Sequence, residues 1–169
     1  MRVLQGRMYS QLFANLSPGP KPISMNLSKH VTLAEFESSG TATNHSILNK
    51  MNEFEIERAK LLCDKVFEPL RAHMGEPIRI NSGYRSIATN RACGGSKTSQ
   101  HCLGEAMDLH IGSKGFHYIK DNLIFDQLIW EFGTNKEPSW VHVSYSKARN
   151  RKQVLKAIKQ NGKTKYINF

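Results

Sequence analysis

Two stretches far apart in the chain, Ser99-Gln100-His101-Cys102-Leu103-Gly104-Glu105-Ala106-Met107-Asp108 and Trp140-Val141-His142-Val143-Ser144, offer two imidazoles and one carboxylate in a divalent-metal pattern. That pattern constrains the fold. A loop must deliver His101, the strand after it must present Asp108, and His142 must come from another strand. A zinc ion with three protein ligands keeps a fourth position for water, whose pKa it lowers to roughly 7. The chain therefore reads first as a zinc hydrolase.

The pattern around these stretches supplies the required elements. Glu105 to Ile111 alternates like a strand, with Ala106, Asp108 and His110 on one face and Met107, Leu109 and Ile111 on the other. On Trp140 to Tyr145, Trp140, His142 and Ser144 share a face opposite Val141, Val143 and Tyr145. Upstream, Asn52 is an N-cap with Glu55 in capping-box position, and Ile56, Ala59, Cys63, Val66, Leu70 and Met74 recur at helical spacing until Gly75. Pro69 is expected to kink that helix or end it early. Pro77 to Gly83 reads as a strand, Ser86 caps a short helix ending at Gly94-Gly95, and the loop from Gly94 to Gln100 delivers His101. Phe116 to Leu123 reads as a short helix, and Phe125 to Phe132 as a strand paired with Trp140 to Tyr145. Val154 to Lys159 and Thr164 to Phe169 flank Asn161-Gly162, the signal for a tight hairpin turn. The expected fold class is α+β, with a central antiparallel sheet and flanking helices.

A length of 169 residues with 39% hydrophobic content fits one domain with a real core. Residues 1–29 lack periodicity and read as a flexible arm in which Met25 is an alternative start; residues 30–169 read as the domain. No apolar run approaches the ~20 residues of a membrane span, and neither an anchor nor a secretion signal is read. Cys63, Cys93 and Cys102 lack zinc-finger or oxidoreductase spacing, which argues against a disulfide framework and for synthesis in a reducing compartment. Cys102 adjoins His101, but neighbours on an extended segment point to opposite faces, so a packed thiol is the simpler reading. The net charge of +10 favours a polyanionic partner: nucleic acid, an anionic membrane surface or the acidic polymers of a bacterial wall. Much of the excess lies in Lys147, Arg149, Arg151, Lys152, Lys156, Lys159, Lys163 and Lys165. No nucleic-acid motif accompanies it, and no specific nucleic-acid partner is expected.

Ser-x-His-x-x-Gly-x-Ala-x-Asp at Ser99 to Asp108, followed by Trp-x-His-x-Ser at Trp140 to Ser144 and preceded by Ser82-Gly83-Tyr84-Arg85-Ser86, resembles the zinc D-alanyl-D-alanine carboxypeptidase family. That family includes cell-wall carboxypeptidases and phage endolysins, and it shares its fold with the hedgehog signalling domain. The resemblance runs from about Leu33 to the C-terminus. It implies a hedgehog/DD-peptidase-like zinc fold, Zn2+ as cofactor, and His101, Asp108 and His142 as its ligands. It further implies stem peptides of bacterial peptidoglycan as substrate, cut by a D-Ala-D-Ala carboxypeptidase or an L-Ala-D-Glu endopeptidase activity. The expected setting is a phage or prophage lysin, monomeric unless virion-associated, made in the host cytoplasm and acting at the cell wall. The hedgehog likeness leaves an alternative, a zinc-holding structural or binding module without catalysis.

The general base departs from the family pattern. An acid usually precedes the last histidine by a few positions, often three, and Ser139 stands there. Glu131, at the end of a strand, and Glu137, in the following loop, are the two candidates. Glu131 is preferred because a strand holds a proton-transfer geometry better than a loop. Arg85 is a candidate for binding a substrate carboxylate, with a structural salt bridge as its other reading. Ser99 and Gln100 are candidates for contacts to substrate backbone, and Trp140 for shaping the pocket. His110 shares the Asp108 face, but the resemblance argues against it as a ligand. His117, Asp126 and Trp130 are expected in the core, behind the site or in the cleft wall.

Overall fold

A computed structural model describes residues 25–169, so the arm expected over residues 1–29 falls outside them as far as residue 24. Residues 25–29 belong to the folded body: Asn26 bridges Thr32, and Leu27 packs into the core. In chain order the elements are α1 (Leu33–Glu37), α2 (Gly40–Asn44), α3 (Glu53–Leu62), a π-helical turn (Cys63–Phe67), α4 (Glu68–Met74), β1 (Arg79–Ser82), α5 (Ile87–Ala92), a 3-10 turn (Gln100–Leu103), β2 (Ala106–His110), α6 (Gly112–Asn122), β3 (Gln127–Glu131), β4 (Trp140–Ser144), β5 (Gln153–Gln160) and β6 (Lys163–Asn168).

Local chemistry accounts for most of these boundaries. The Asn52–Glu55 capping box starts α3, with Glu55 N–H donating to Asn52 Oδ1 and Asn52 N–H to Glu55 Oε2. Pro69 does not end the helix. It lacks an N–H and crowds the preceding turn, and the chain widens just before it, where Glu68 N–H donates to Cys63 O. Such a π turn keeps the apolar stripe buried through Cys63, Val66 and Leu70 before Gly75 closes α4. Helices α1 and α2 have only five residues each, too short to show a period, and are marked instead by the caps Thr32 and Ser39. At the β5–β6 turn Asn161 and Gly162 both take positive φ, 53° and 74°, as a type I′ hairpin requires.

The six strands form one sheet in the order β1-β2-β4-β3-β5-β6. Every neighbouring pair is antiparallel except β3 and β5, so the sheet is mixed. Asp126 explains the exception. Its buried carboxylate accepts from Arg151 N, Nε and Nη2, and its carbonyl accepts from Gln153 N–H. These bonds pin the segment after β4 across the start of β3, so β5 sets off in the β3 direction.

Alternation along the strands separates two faces. Met107, Leu109, Leu128, Trp130, Val141 and Val143 point into one core with Leu62, Val66, Leu70, Phe116 and Ile119 from the helices. Each fully buried Leu, Val or Phe contributes about 1.5–3 kcal/mol. The opposite face carries Asp108, Glu131, Trp140 and His142 and is left open as a cleft. No helix among the described residues is long and apolar enough to cross a membrane.

Candidate metal centre

Asp108 on β2 and His142 on β4 are direct cross-strand partners, so both side chains project side by side from the open face. His101 reaches them from the 3-10 turn. Its Nδ1–H donates to the Gly83 carbonyl at 2.6 Å, which fixes the tautomer and leaves the Nε2 lone pair facing the other two residues. Gly83 itself packs tightly under Phe36, where an added Cβ would collide with the Phe36 carbonyl and ring, so this position of the backbone requires glycine. Sequence separation is thus overcome by one strand register and one backbone carbonyl.

The converging atoms are His101 Nε2, Asp108 Oδ1 and His142 Nδ1. They stand 3.2 Å (His101–His142), 3.3 Å (His101–Asp108) and 3.0 Å (His142–Asp108) apart. Ligands roughly 2.0–2.1 Å from one tetrahedral zinc ion lie about 3.3 Å from each other. The triangle therefore fits zinc in both size and donor chemistry. Among the described residues, it is the group of three or more His, Cys, Asp or Glu side chains whose ligand atoms converge in this way.

Asp108 is prepared for such a role by its neighbours. Arg85 Nη2 donates to its Oδ2 at 2.6 Å, while Arg85 Nε donates to Ser82 Oγ at 2.9 Å. Burial alone would raise the Asp108 carboxyl. When protonated, the adjacent rings of His101 and then His142 outweigh burial by charge and hydrogen bonding and hold it well below the usual carboxylate range. Arg85 thus engages Asp108, the second of the two readings its sequence position allows, while its side chain still borders the cleft.

Glu131 ends β3 opposite Trp140 and borders the same cleft, one strand away from His142. Burial pushes its carboxyl up to about 7, with the Asp108 charge adding to the rise and the positive fields of His142, Arg85 and Lys159 opposing it. A carboxyl near neutrality suits proton transfer. Glu137, the other candidate base, lies elsewhere. Its two carboxylate oxygens accept from Ser113 N–H at 2.8 Å and Ser113 Oγ at 2.7 Å, at the start of α6, and these bonds hold its pKa down. Ser139 donates its backbone N–H to Glu131 O, so the loop between them folds back beside the glutamate.

The cleft encloses about 520 Å³. Ser99 and Gln100 line one wall, and Trp140 packs edge-on against Phe132 at another. Gln100 also donates to the buried Asp126, which ties the loop before His101 to the Asp126–Arg151 pair. Cys102 lies in a 3-10 turn rather than an extended segment, and it borders a neighbouring groove instead of this cleft. All three cysteines are free. His110 is exposed at the end of β2, and His117 packs edge-on near Phe116 and Trp130. Cleft residues that were not anticipated include Lys159, Thr164 and Tyr166, from the C-terminal hairpin. Alternation along 153–160 groups Lys159 with Leu155 and Ala157, but strand period alone does not say which surface that face meets.

Known proteins resemble the chain in part. Over 50 residues the chain is 44% identical to a zinc D-Ala-D-Ala carboxypeptidase of Streptomyces albus G, covering 29% of this chain and 20% of that protein. Over 117 residues it is 32% identical to the peptidoglycan L,D-endopeptidase MepK of Escherichia coli (strain K12), covering 59% of this chain and 63% of that one. The chain thus matches less than two thirds of the length of each of these curated relatives. A profile of the peptidase M15 family matches residues 29–144, a span that takes in His101, Asp108, Glu131 and His142, and the chain belongs to the peptidase M15 family of metallopeptidases.

Proposed function

We propose that this chain is a zinc-dependent hydrolase of peptide bonds in the stem peptides of bacterial peptidoglycan, with His101, Asp108 and His142 as zinc ligands and Glu131 as general base. The triangle of lone-pair donors, 3.0–3.3 Å on each side, carries the reading. The names of both relatives support the substrate class, because each describes a protein acting on D-Ala-D-Ala or on peptidoglycan.

A zinc ion bound there supplies Lewis-acid polarisation and acidifies water. The chain's own residues do the rest. Arg85 holds Asp108 Oδ2 so that Oδ1 keeps its aim, and the Gly83 carbonyl does the same for His101. Glu131 takes the proton of the attacking water and returns it to the leaving amine, a role matched by a pKa raised to about 7. Ser99 offers a polar contact for substrate backbone, and Trp140 with Phe132 shields one wall from water.

Two bond types fit this reading, a terminal D-Ala-D-Ala bond and an internal L-Ala-D-Glu bond. Mass spectrometry of purified peptidoglycan digested with the protein tests it, beside a chelator-treated control and Glu131→Gln. New stem-peptide termini that vanish in both controls are the expected result. Bound zinc without products would instead favour a binding module of the same fold, the reading raised by Ser139 at the usual acid position. A lytic role of phage or prophage type extends the proposal, and the net charge of +10 supports adsorption to an anionic wall. Salt-sensitive sedimentation with purified walls checks that extension.

A further inference from the structure

Apart from the two histidines, Arg85 and Lys159 are the cationic side chains lining the cleft among the described residues. They differ in what they already hold. Arg85 is engaged by the Asp108 carboxylate and by Ser82. Lys159 Nζ donates only to the neutral Thr164 Oγ1, at 3.0 Å, and stands 5.1 Å from the centre of the Phe132 ring. It makes no ion pair with any described carboxylate at salt-bridge distance, so its charge is available to a ligand.

The strand register says where along the cleft that charge lies. Asp108, His142, Ile129 and Leu155 form one cross-strand row containing two of the three candidate ligands. Glu131, Ala157 and Tyr166 form the next row, and Lys159 with Thr164 the one beyond. Ala157 is small and fully buried, so the floor between Glu131 and Tyr166 stays low. Successive rows are about 6.6–6.8 Å apart along the strands. Glu131 must reach the leaving nitrogen to protonate it, so the leaving side of the substrate lies over the Glu131 row and points toward Lys159. One residue of extended peptide covers about 3.3–3.6 Å, roughly half of one row spacing, and the flexible four-carbon stem of Lys159 bridges the remainder to a carboxylate on the residue after the scissile bond.

We propose that Lys159 determines specificity in the cleft by binding the free carboxylate of the residue on the leaving side of the scissile bond, with Thr164 and Tyr166 framing that subsite. The inference rests on the peptidase reading given above. It assigns recognition to a hairpin beyond residue 144, where the family match ends. Carboxylate binding passes from Arg85, which the fold uses to hold Asp108, to a lysine on the β5–β6 pair at the other edge of the sheet. The shared ligand chemistry has two sources in peptidoglycan, the terminal carboxylate of D-Ala and the α-carboxylate of D-Glu.

Calorimetric binding to the zinc-loaded Glu131→Gln protein tests this with two probe pairs. One is a D-alanyl-D-alanine peptide and its C-terminal carboxamide; the other is an L-alanyl-γ-D-glutamyl peptide and its α-amide. The carboxylate form of one pair is expected to bind roughly 10- to 100-fold tighter than its amide. Adding Lys159→Gln should erase that preference without changing amide affinity, and Lys159→Arg should restore part of it. Which pair responds identifies the source. A preference that survives Lys159→Gln, or no carboxylate preference in either pair, overturns the inference. Wild-type turnover is scored separately. Lys159-dependent binding without turnover removes the peptidase reading and leaves the subsite standing, whereas turnover without Lys159 dependence does the reverse.

Discussion

Arg85 and Asp108 form an ion pair that divides the carboxylate between two tasks: Oδ2 accepts from Arg85 Nη2 at 2.6 Å, while Oδ1 stays with His142 Nδ1 at 3.0 Å. A buried carboxylate held at one oxygen keeps the other oriented for a cation. Arg85→Met should therefore weaken zinc affinity by about 10- to 100-fold, the usual cost of losing such an outer partner. Competition against a chromophoric chelator measures it. If Arg85 instead served the substrate alone, KM would rise and zinc affinity would not move.

Glu131 makes the stability of the metal-free protein depend on pH. Its folded pKa is raised from 4.5 to about 7, so the folded state binds the proton more tightly than the unfolded chain. The resulting stabilisation is full below about 4.5 and is lost as pH rises through about 7. Metal-free Glu131→Gln should therefore be more stable than the parent at pH 8, by roughly 1–3 kcal/mol, with the gap closing toward pH 4. Chemical denaturation at the two pH values checks this, and an equal difference at both would sink it. A bound divalent cation adds positive charge beside the carboxylate and should shrink the effect.

Glu137 is expected to matter for folding and not for turnover. Its carboxylate accepts from the Ser113 backbone and hydroxyl at the start of α6, so Glu137→Ala should lower the melting temperature modestly, like the loss of a helix cap. Activity on stem peptides should persist. A variant that folds normally and yet loses all turnover would reinstate Glu137 as the base.

Zinc should act as a stabilising ligand. At ~1,000 times its Kd, a ligand specific for the folded state adds about 4 kcal/mol, and thermal melts with and without chelator should show the corresponding shift. His142→Ala removes one corner of the triangle and should abolish that shift while leaving the metal-free melt close to the parent's. A zinc-dependent shift retained in His142→Ala would place the ion elsewhere.

The signals that could be read locally are those whose physics is local. Asn52 and Glu55 cap each other within one turn, Asn161-Gly162 supplies the two positive φ angles of its own hairpin, and alternation along β2 and β4 sorts core residues from cleft residues. Short helices α1 and α2 escaped because five residues carry no period. The parallel pairing of β5 with β3 escaped because it depends on Asp126, whose partners Arg151 and Gln153 lie more than twenty positions away.

The sequence by itself determined the order of the longer elements and the donor types at His101, Asp108 and His142, and it singled out Glu131 as an acid at the end of a strand, because motif spacing and strand period fix which side chains share a face. Tertiary structure alone decided the rest. It set the 3.0–3.3 Å convergence of the three donors, the engagement of Arg85 by Asp108, the removal of Glu137 to α6, and the arrival of Lys159 and Tyr166 at the cleft. Each of these depends on which strands lie next to one another, and that is settled by cross-strand register and buried charge pairs between residues distant in the chain.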